Sequence, residues 1–338
     1  MVDGKLPSYI GNMYGPDFTF LGVNRCDLTK PETFQNADIV IVGAPIDSGT
    51  SFRSGAKFGP QAIRAADYLS HDGSRPNLAM RVDPLQELVV KDAGDLLMPP
   101  GDLESALEIL ENATETISQS GVIPVVLGGD HSIACADVKG IANYFGHRKI
   151  SMIHFDAHAD TGESQFGALV GHGTPMRRLI ESGAVRGDRF LQLGLRGYWP
   201  DDKTLQWMAS QKMKSYEMTE IHHRGLDEVL NESFKILTNE CDGVFLSVDI
   251  DVVDPGMAPG TGTPEPGGMT SRELIEAVRI ITSELPIVGI DIVEVSPAYD
   301  NQEITALLAN RIVLEALSGI ALRKNGKKYQ PTRNLLDR

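Results

Sequence analysis

The sequence predicts an α/β domain built on a mainly parallel sheet. Short, continuously apolar runs such as Ile39-Val40-Ile41-Val42 recur along its 338 residues, as strands buried on both faces require. Helical patterns alternate with those runs, and no long linker, internal repeat or low-complexity segment intervenes. A chain of this length can enclose a large core in a single unit.

Residues 1–36 are rich in Gly, Pro, Asn and Asp and predict an irregular arm. The first strand is expected over 38–44, followed by a turn-rich loop over 45–59 that shapes a pocket rim. This loop contains neither G-x-G-x-x-G nor G-x-x-x-x-G-K-[ST], so a phosphate cradle is not predicted. Pro60 suits the first turn of a helix reaching about residue 69. A second strand is expected near 88–91. Leu103, Leu107, Leu110, Ala113 and Ile117 then fall on one face of a helix over 102–120. Further strands are expected over 122–127, 149–155, 189–195, 243–248 and 287–292, with helices near 176–182, 201–211 and 225–237. Ser132 is read as the start of the helix that follows the third strand. Thr270 with Glu273, and Asp300 with Glu303, have the spacing of capping boxes before apolar helical runs. The basic, polar segment 324–338 predicts a surface tail, leaving 37–323 as the single domain.

The chemistry gathers at strand ends. After the strand over 149–155, Asp156, His158 and Asp160 alternate, so an extended backbone turns all three to one side. The strand over 122–127 runs into Asp130 and His131, that over 243–248 into Asp249 and Asp251, and that over 287–292 into Asp291 and Glu294. In parallel α/β sheets, sites form beyond the carboxyl ends of strands. Four acidic strand ends on one edge would repel one another, and divalent cations relieve that repulsion. His131, Asp156, His158, Asp160, Asp249 and Asp251 are ligands enough for two ions, and a carboxylate-rich set favours Mn²⁺ without excluding Ni²⁺, Co²⁺ or Zn²⁺. His154 shares the face of Asp156 and reads as a core histidine. His71, His147, His222 and His223 have no supporting context.

Composition narrows the function. The formal charge of −15 argues against a nucleic-acid partner and suits metal ions or a cationic substrate. Cys26, Cys135 and Cys241 are too few and too scattered for a disulfide framework. No signal-peptide pattern and no apolar run of transmembrane length is evident, so a cytoplasmic protein without a membrane partner is expected.

Gly-Gly-Asp-His-Ser at 128–132, Asp-Ala-His-Ala-Asp at 156–160 and Ser-Val-Asp-Ile-Asp-x-x-Asp-Pro at 247–255 resemble the three signatures of the ureohydrolase superfamily. Their order and spacing agree from about Ile39 to Leu322. The resemblance implies a three-layer α-β-α sandwich, two Mn²⁺ per chain, and hydrolysis of a guanidino group to urea and an amine. It implies that His131, Asp156, Asp160 and Asp251 hold one ion or the bridge, that His158 and Asp249 complete the second site, and that Asp130 supports them. It further implies that Asp160 carries a proton to the leaving amine, that His172 shuttles protons, and that Glu294 holds the guanidinium. A homo-oligomer, trimeric or hexameric, follows from the resemblance only. Arginase-like members place an Asn where this chain has Gly162, so arginine is expected to be a poor substrate. Agmatine is expected first, with guanidinobutyrate next if Arg53 or Arg177 receives its carboxylate.

Overall fold

The computed structural model describes residues 11–331 and 334; the ends of the predicted arm and tail lie outside them. Nine strands form one sheet: β1 (Asn24–Arg25), β2 (Ile39–Ala44), β3 (Val90–Asp95), β4 (Ile123–Gly128), β5 (Ile150–Phe155), β6 (Val185–Leu195), β7 (Lys214–Glu217), β8 (Gly243–Asp249) and β9 (Ile287–Val293). Their order is β1-β3-β2-β4-β9-β8-β5-β6-β7, and every pairing is parallel. The helices are α1 (Gly59–Ala65), α2 (Pro84–Glu87), α3 (Leu103–Gln119), α4 (Ala134–Phe145), α5 (Pro175–Ser182), α6 (Asp202–Ser210), α7 (Met218–Arg224), α8 (Leu226–Leu237), α9 (Ser271–Glu284) and α10 (Ile304–Lys324).

Alternation along the strands produces three layers. In β2, Ile39 and Ile41 join the core beneath α9 and α10, while Val40 and Val42 join the core beneath α3. In β8, Leu246 and Val248 face the first of these layers, and Phe245 faces α4 and α5. A residue period of two thus feeds two apolar layers, which is why these strands read as unbroken apolar runs.

Several elements differ from the sequence expectation. The arm contributes β1, an edge strand paired with β3 through Asn24 and Lys91. β7 and α7 escaped notice because Lys214-Ser215-Tyr216-Glu217 buries only Tyr216, so no apolar run marks it. Thr270 and Glu273 close their capping box, but Asp300 and Glu303 do not. Glu303 sits at φ 57°, and Asp300 Oδ2 instead accepts the Thr305 N–H at 2.6 Å. Asp130, not Ser132, caps the turn that leads into α4, accepting the Ser132 N–H at 2.9 Å. α10 has the length and apolarity of a membrane span, contrary to expectation, but 83% of its apolar window is buried in the fold. It is apolar on most sides because the sheet, α9, α1 and α2 surround it. The tail begins docked, since the Tyr329 hydroxyl donates to Glu276 at 3.0 Å.

Candidate active site

β4, β9, β8 and β5 are neighbours at the centre of the sheet, and their carboxyl ends carry the candidate residues. Register aligns those ends: Leu127 pairs with Ile292, Asp249 with Val293, and Phe155 with Val248. The next residues of each strand therefore emerge side by side. β4 and β5 part company here, with β9 and β8 between them, the kind of strand-order break where α/β sheets open a crevice.

All six predicted ligands converge. His131 Nδ1 lies 3.1 Å from one carboxylate oxygen each of Asp156, Asp160 and Asp249. His158 Nδ1 lies 3.1 Å from Asp251 Oδ2 and 3.5 Å from Asp156 Oδ1. Asp249 is thus grouped with His131 and Asp251 with His158, the reverse of the grouping the resemblance implies. Donor atoms of Asp156, Asp160, His131 and His154 cluster, as do those of Asp156, His158 and Asp251, with Asp156 common to both groups. Backbone N–H groups anchor the outer oxygens: Ala157 to Asp251, His158 to Asp156 and Asp251 to Asp249.

The electrostatics fit divalent cations. Burial, then the neighbouring Asp251 and Asp156, pushes Asp249 well above the usual carboxylate range. Burial acts the same way on Asp156, but His154, His131 and His158 outweigh it and hold Asp156 well below that range. Burial would depress His131, yet Asp156, Asp160 and Asp249 raise it well above an ordinary imidazole. Four buried carboxylates therefore compete for three imidazoles, those of His131, His154 and His158, and cations in the two groups would satisfy all of them.

Side chains behind the cluster set its orientation. His131 Nε2 lies 2.9 Å from Ser247 Oγ, leaving Nδ1 to face the carboxylates. His154 is more than a core histidine. Gln192 Nε2 donates to its Nδ1 at 3.0 Å, so Nε2–H points at Asp156 Oδ2, 2.8 Å away. His147 and His71 lie elsewhere, against Asn143 and Phe18 respectively, and the rings of His222 and His223 meet each other at a tilt.

Beside the cluster, His172 Nδ1 lies 2.9 Å from Glu294 Oε1, which also accepts the His131 N–H at 2.9 Å. Glu294 Oε2 is buried without a hydrogen-bond partner among the described residues. Gly262 lies beside it: a Cβ there would touch Oε2 at 3.6 Å and would collide with the Arg53 carbonyl at 2.7 Å. Asp160 and Glu294 hold left-handed backbone at φ 53° and 64°, a cost of about 1–3 kcal/mol each that clusters at functional sites.

A cavity of about 470 Å³ opens over these groups, lined in part by Ser51, His158, Asp160, His172, Trp199 and Asp249. Phe166, 93% exposed, stands at its mouth. Gly162 also lines it, and a Cβ there would meet the Gly173 carbonyl at 2.9 Å. Arg177 is committed elsewhere, donating to the Thr161 carbonyl at 2.8 Å and stacking 4.1 Å above the Trp207 ring. Arg53 lies over the rings of Phe52 and Tyr299 at 5.1 and 5.3 Å. Sequence reasoning missed Ser51, Ser247 and Gln192. Of these, only Ser247 had a signal, since it alternates with Asp249 and Asp251.

Comparison with known proteins agrees with this geometry. The Arginase family profile matches residues 37–319. The chain is 38% identical to a guanidinobutyrase of Pseudomonas aeruginosa over 85% of its length and 88% of the relative's. It is 36% identical to a mitochondrial agmatinase of Gallus gallus over 83% of its length and 81% of the relative's. The structure of proclavaminate amidino hydrolase from Streptomyces clavuligerus superposes with a TM-score of 0.82 at 32% identity, covering 92% of this chain and 99% of that one. With its signature residues gathered on one sheet edge and its fold shared along almost its whole length, the chain belongs to the arginase family and is a hydrolase of guanidino carbon–nitrogen bonds.

Proposed function

We propose that the protein hydrolyses a linear guanidino compound without an α-amino-acid head, agmatine first, to urea and an amine. The observation that carries the reading is Glu294, whose Oε1 is saturated and whose Oε2 is buried with no hydrogen-bond partner among the described residues. A buried carboxylate oxygen left open is costly unless a donor arrives, and a guanidinium supplies charge-assisted N–H donors.

His131, Asp156, His158, Asp160, Asp249 and Asp251 would hold two divalent ions, Mn²⁺ by the hardness of this donor set. Bound there, the pair supplies an acidified water and positive charge beside the guanidino carbon. Glu294 orients the guanidinium, and burial of its carboxylate strengthens that contact. Asp160 lines the cavity and can take up a proton at its carboxylate and return it to the departing amine. His172, between Glu294 and the cavity, exchanges protons with solvent.

The lining residues favour a cationic or neutral tail over a carboxylate. Among the described residues no lysine or arginine lines the cavity, Arg177 donates to the Thr161 carbonyl, and Arg53 lies over the Phe52 and Tyr299 rings. Gly162 leaves no side chain to receive an α-amino acid. A homo-oligomer belongs to the same reading, supported by the exposed Tyr68, Leu69 and Leu78. Urea release from agmatine, 4-guanidinobutyrate, 3-guanidinopropionate and arginine, measured on manganese-loaded protein, tests the substrate. Agmatine is expected to lead. A lead for guanidinobutyrate would contradict the tail argument, and a lead for arginine would overturn the substrate class.

A further inference from the structure

We propose that Ser51 relays protons between the His172 imidazole and solvent during the hydrolysis of the guanidino group. Ser51 lies in the loop between β2 and α1, 121 residues from His172, and its Oγ sits 2.6 Å from His172 Nε2. That distance is within proton-transfer reach. Ser51 is exposed and lines the cavity, whereas the other ring nitrogen is turned inward against the buried Glu294. Among these groups, Nε2 is the side of the ring that leads outward, and Ser51 stands on that path.

A second contact defines the resting state. The Ser51 backbone N–H donates to the same Nε2 at 3.0 Å, which requires a lone pair there and places the ring proton on Nδ1, toward Glu294. An opposing influence comes from behind. Burial alone would depress His172, but Glu294 foremost, then Asp160 and Asp130, raise it to about 9. The Ser51 N–H favours the neutral ring and the Glu294 carboxylate favours the protonated one, so its two neighbours draw the ring toward opposite states. A ring that alternates between them needs an outlet at Nε2.

The step balances without another reactant. Outward, the Nε2 proton passes to Ser51 Oγ as the Oγ proton passes to water, leaving the serine neutral. Inward, both transfers reverse. No bond between heavy atoms forms or breaks. The linear order serine–histidine–carboxylate resembles an acyl-transfer triad. Here, however, the carboxylate's second oxygen is buried beside Gly262 with no hydrogen-bond partner among the described residues, and the serine moves protons rather than attacking.

The proposal rests on the guanidino-hydrolase reading, and its test separates the two. In manganese-loaded full-length protein, Ser51→Ala should lower kcat about tenfold with KM unchanged, a modest share of what general acid–base groups contribute. High concentrations of a small buffer such as imidazole should recover part of the loss, and Ser51→Thr should restore most of it. In metal-free protein, nitrogen-15 NMR should show slower solvent exchange of the His172 ring proton in Ser51→Ala than in wild type. Unchanged exchange would overturn the relay, as would a kcat deficit that neither buffer nor Ser51→Thr relieves. An amidino adduct on Ser51 detected by mass spectrometry would overturn it in favour of a nucleophile. If wild-type protein releases no urea from any guanidino compound, the functional reading fails while the exchange measurement still decides the relay.

Discussion

Asp156 links the two candidate ligand histidines, with Oδ2 3.1 Å from His131 Nδ1 and Oδ1 3.5 Å from His158 Nδ1. One side chain thereby joins the two halves of the cluster. Replacing it with a residue of equal size but one fewer anionic oxygen should loosen both halves together. Asp156→Asn is expected to deplete both ions, as read by elemental analysis after dialysis, and to lower urea release more than about 100-fold. Retention of two ions with near-normal turnover would show that Asp156 is not shared.

Glu294 should behave differently, because its Oε2 is buried beside Gly262 and belongs to neither cluster of candidate ligand atoms. Glu294→Gln keeps the size of the side chain and removes the charge that a guanidinium would meet. We expect kcat/KM to fall by about 10²–10³, with both ions still bound, the scale for a preorganised electrostatic contact. Loss of an ion in this variant would assign Glu294 to the metal cluster instead.

Arg64 provides a test of the scaffold. It is fully buried, with Nε 2.9 Å from Asp92 Oδ2 and Nη1 2.5 Å from Asp95 Oδ1, and so ties α1 to β3. Removing it strands two buried carboxylates. Arg64→Ala should cost about 3–5 kcal/mol in urea unfolding, whereas a shift below about 1 kcal/mol would mean that water reaches these groups.

Loss of hydration pushes the buried Cys26 thiol and the half-buried Cys135 thiol up to about 12. Both are therefore protonated and poorly nucleophilic at pH 8. Iodoacetamide at that pH should leave Cys26 and Cys135 of the native protein unmodified, and should alkylate all three cysteines after denaturation. Rapid native labelling of Cys26 would contradict the packing of the β1 edge.

What the sequence revealed depended on how locally each feature is encoded. β2, β5 and β8 were legible because burial on both faces demands continuous apolar runs, and the site because Asp156, His158 and Asp160 alternate within five residues. β7 was not, since an edge strand needs only Tyr216 inside. The cap by Asp300 was misplaced because the backbone turns left-handed at Glu303 and carries the first free N–H to Thr305. Ser51 and Gln192 act through partners 121 and 38 residues away, a relation that only the assembled fold creates. Asp249 and Asp251 were placed on the correct edge, but their pairing with His131 and His158 depended on strand twist and register, which no local spacing encodes.

The central claim is that guanidino hydrolysis runs on two divalent ions held by these six residues. The direct measurement is urea release from agmatine and 4-guanidinobutyrate as metal-stripped protein is titrated with Mn²⁺. Activity should be absent at the start, rise to a plateau at two equivalents per chain, and vanish again with chelator. Full activity at a single equivalent, or no urea from any guanidino compound in the loaded protein, would contradict the account.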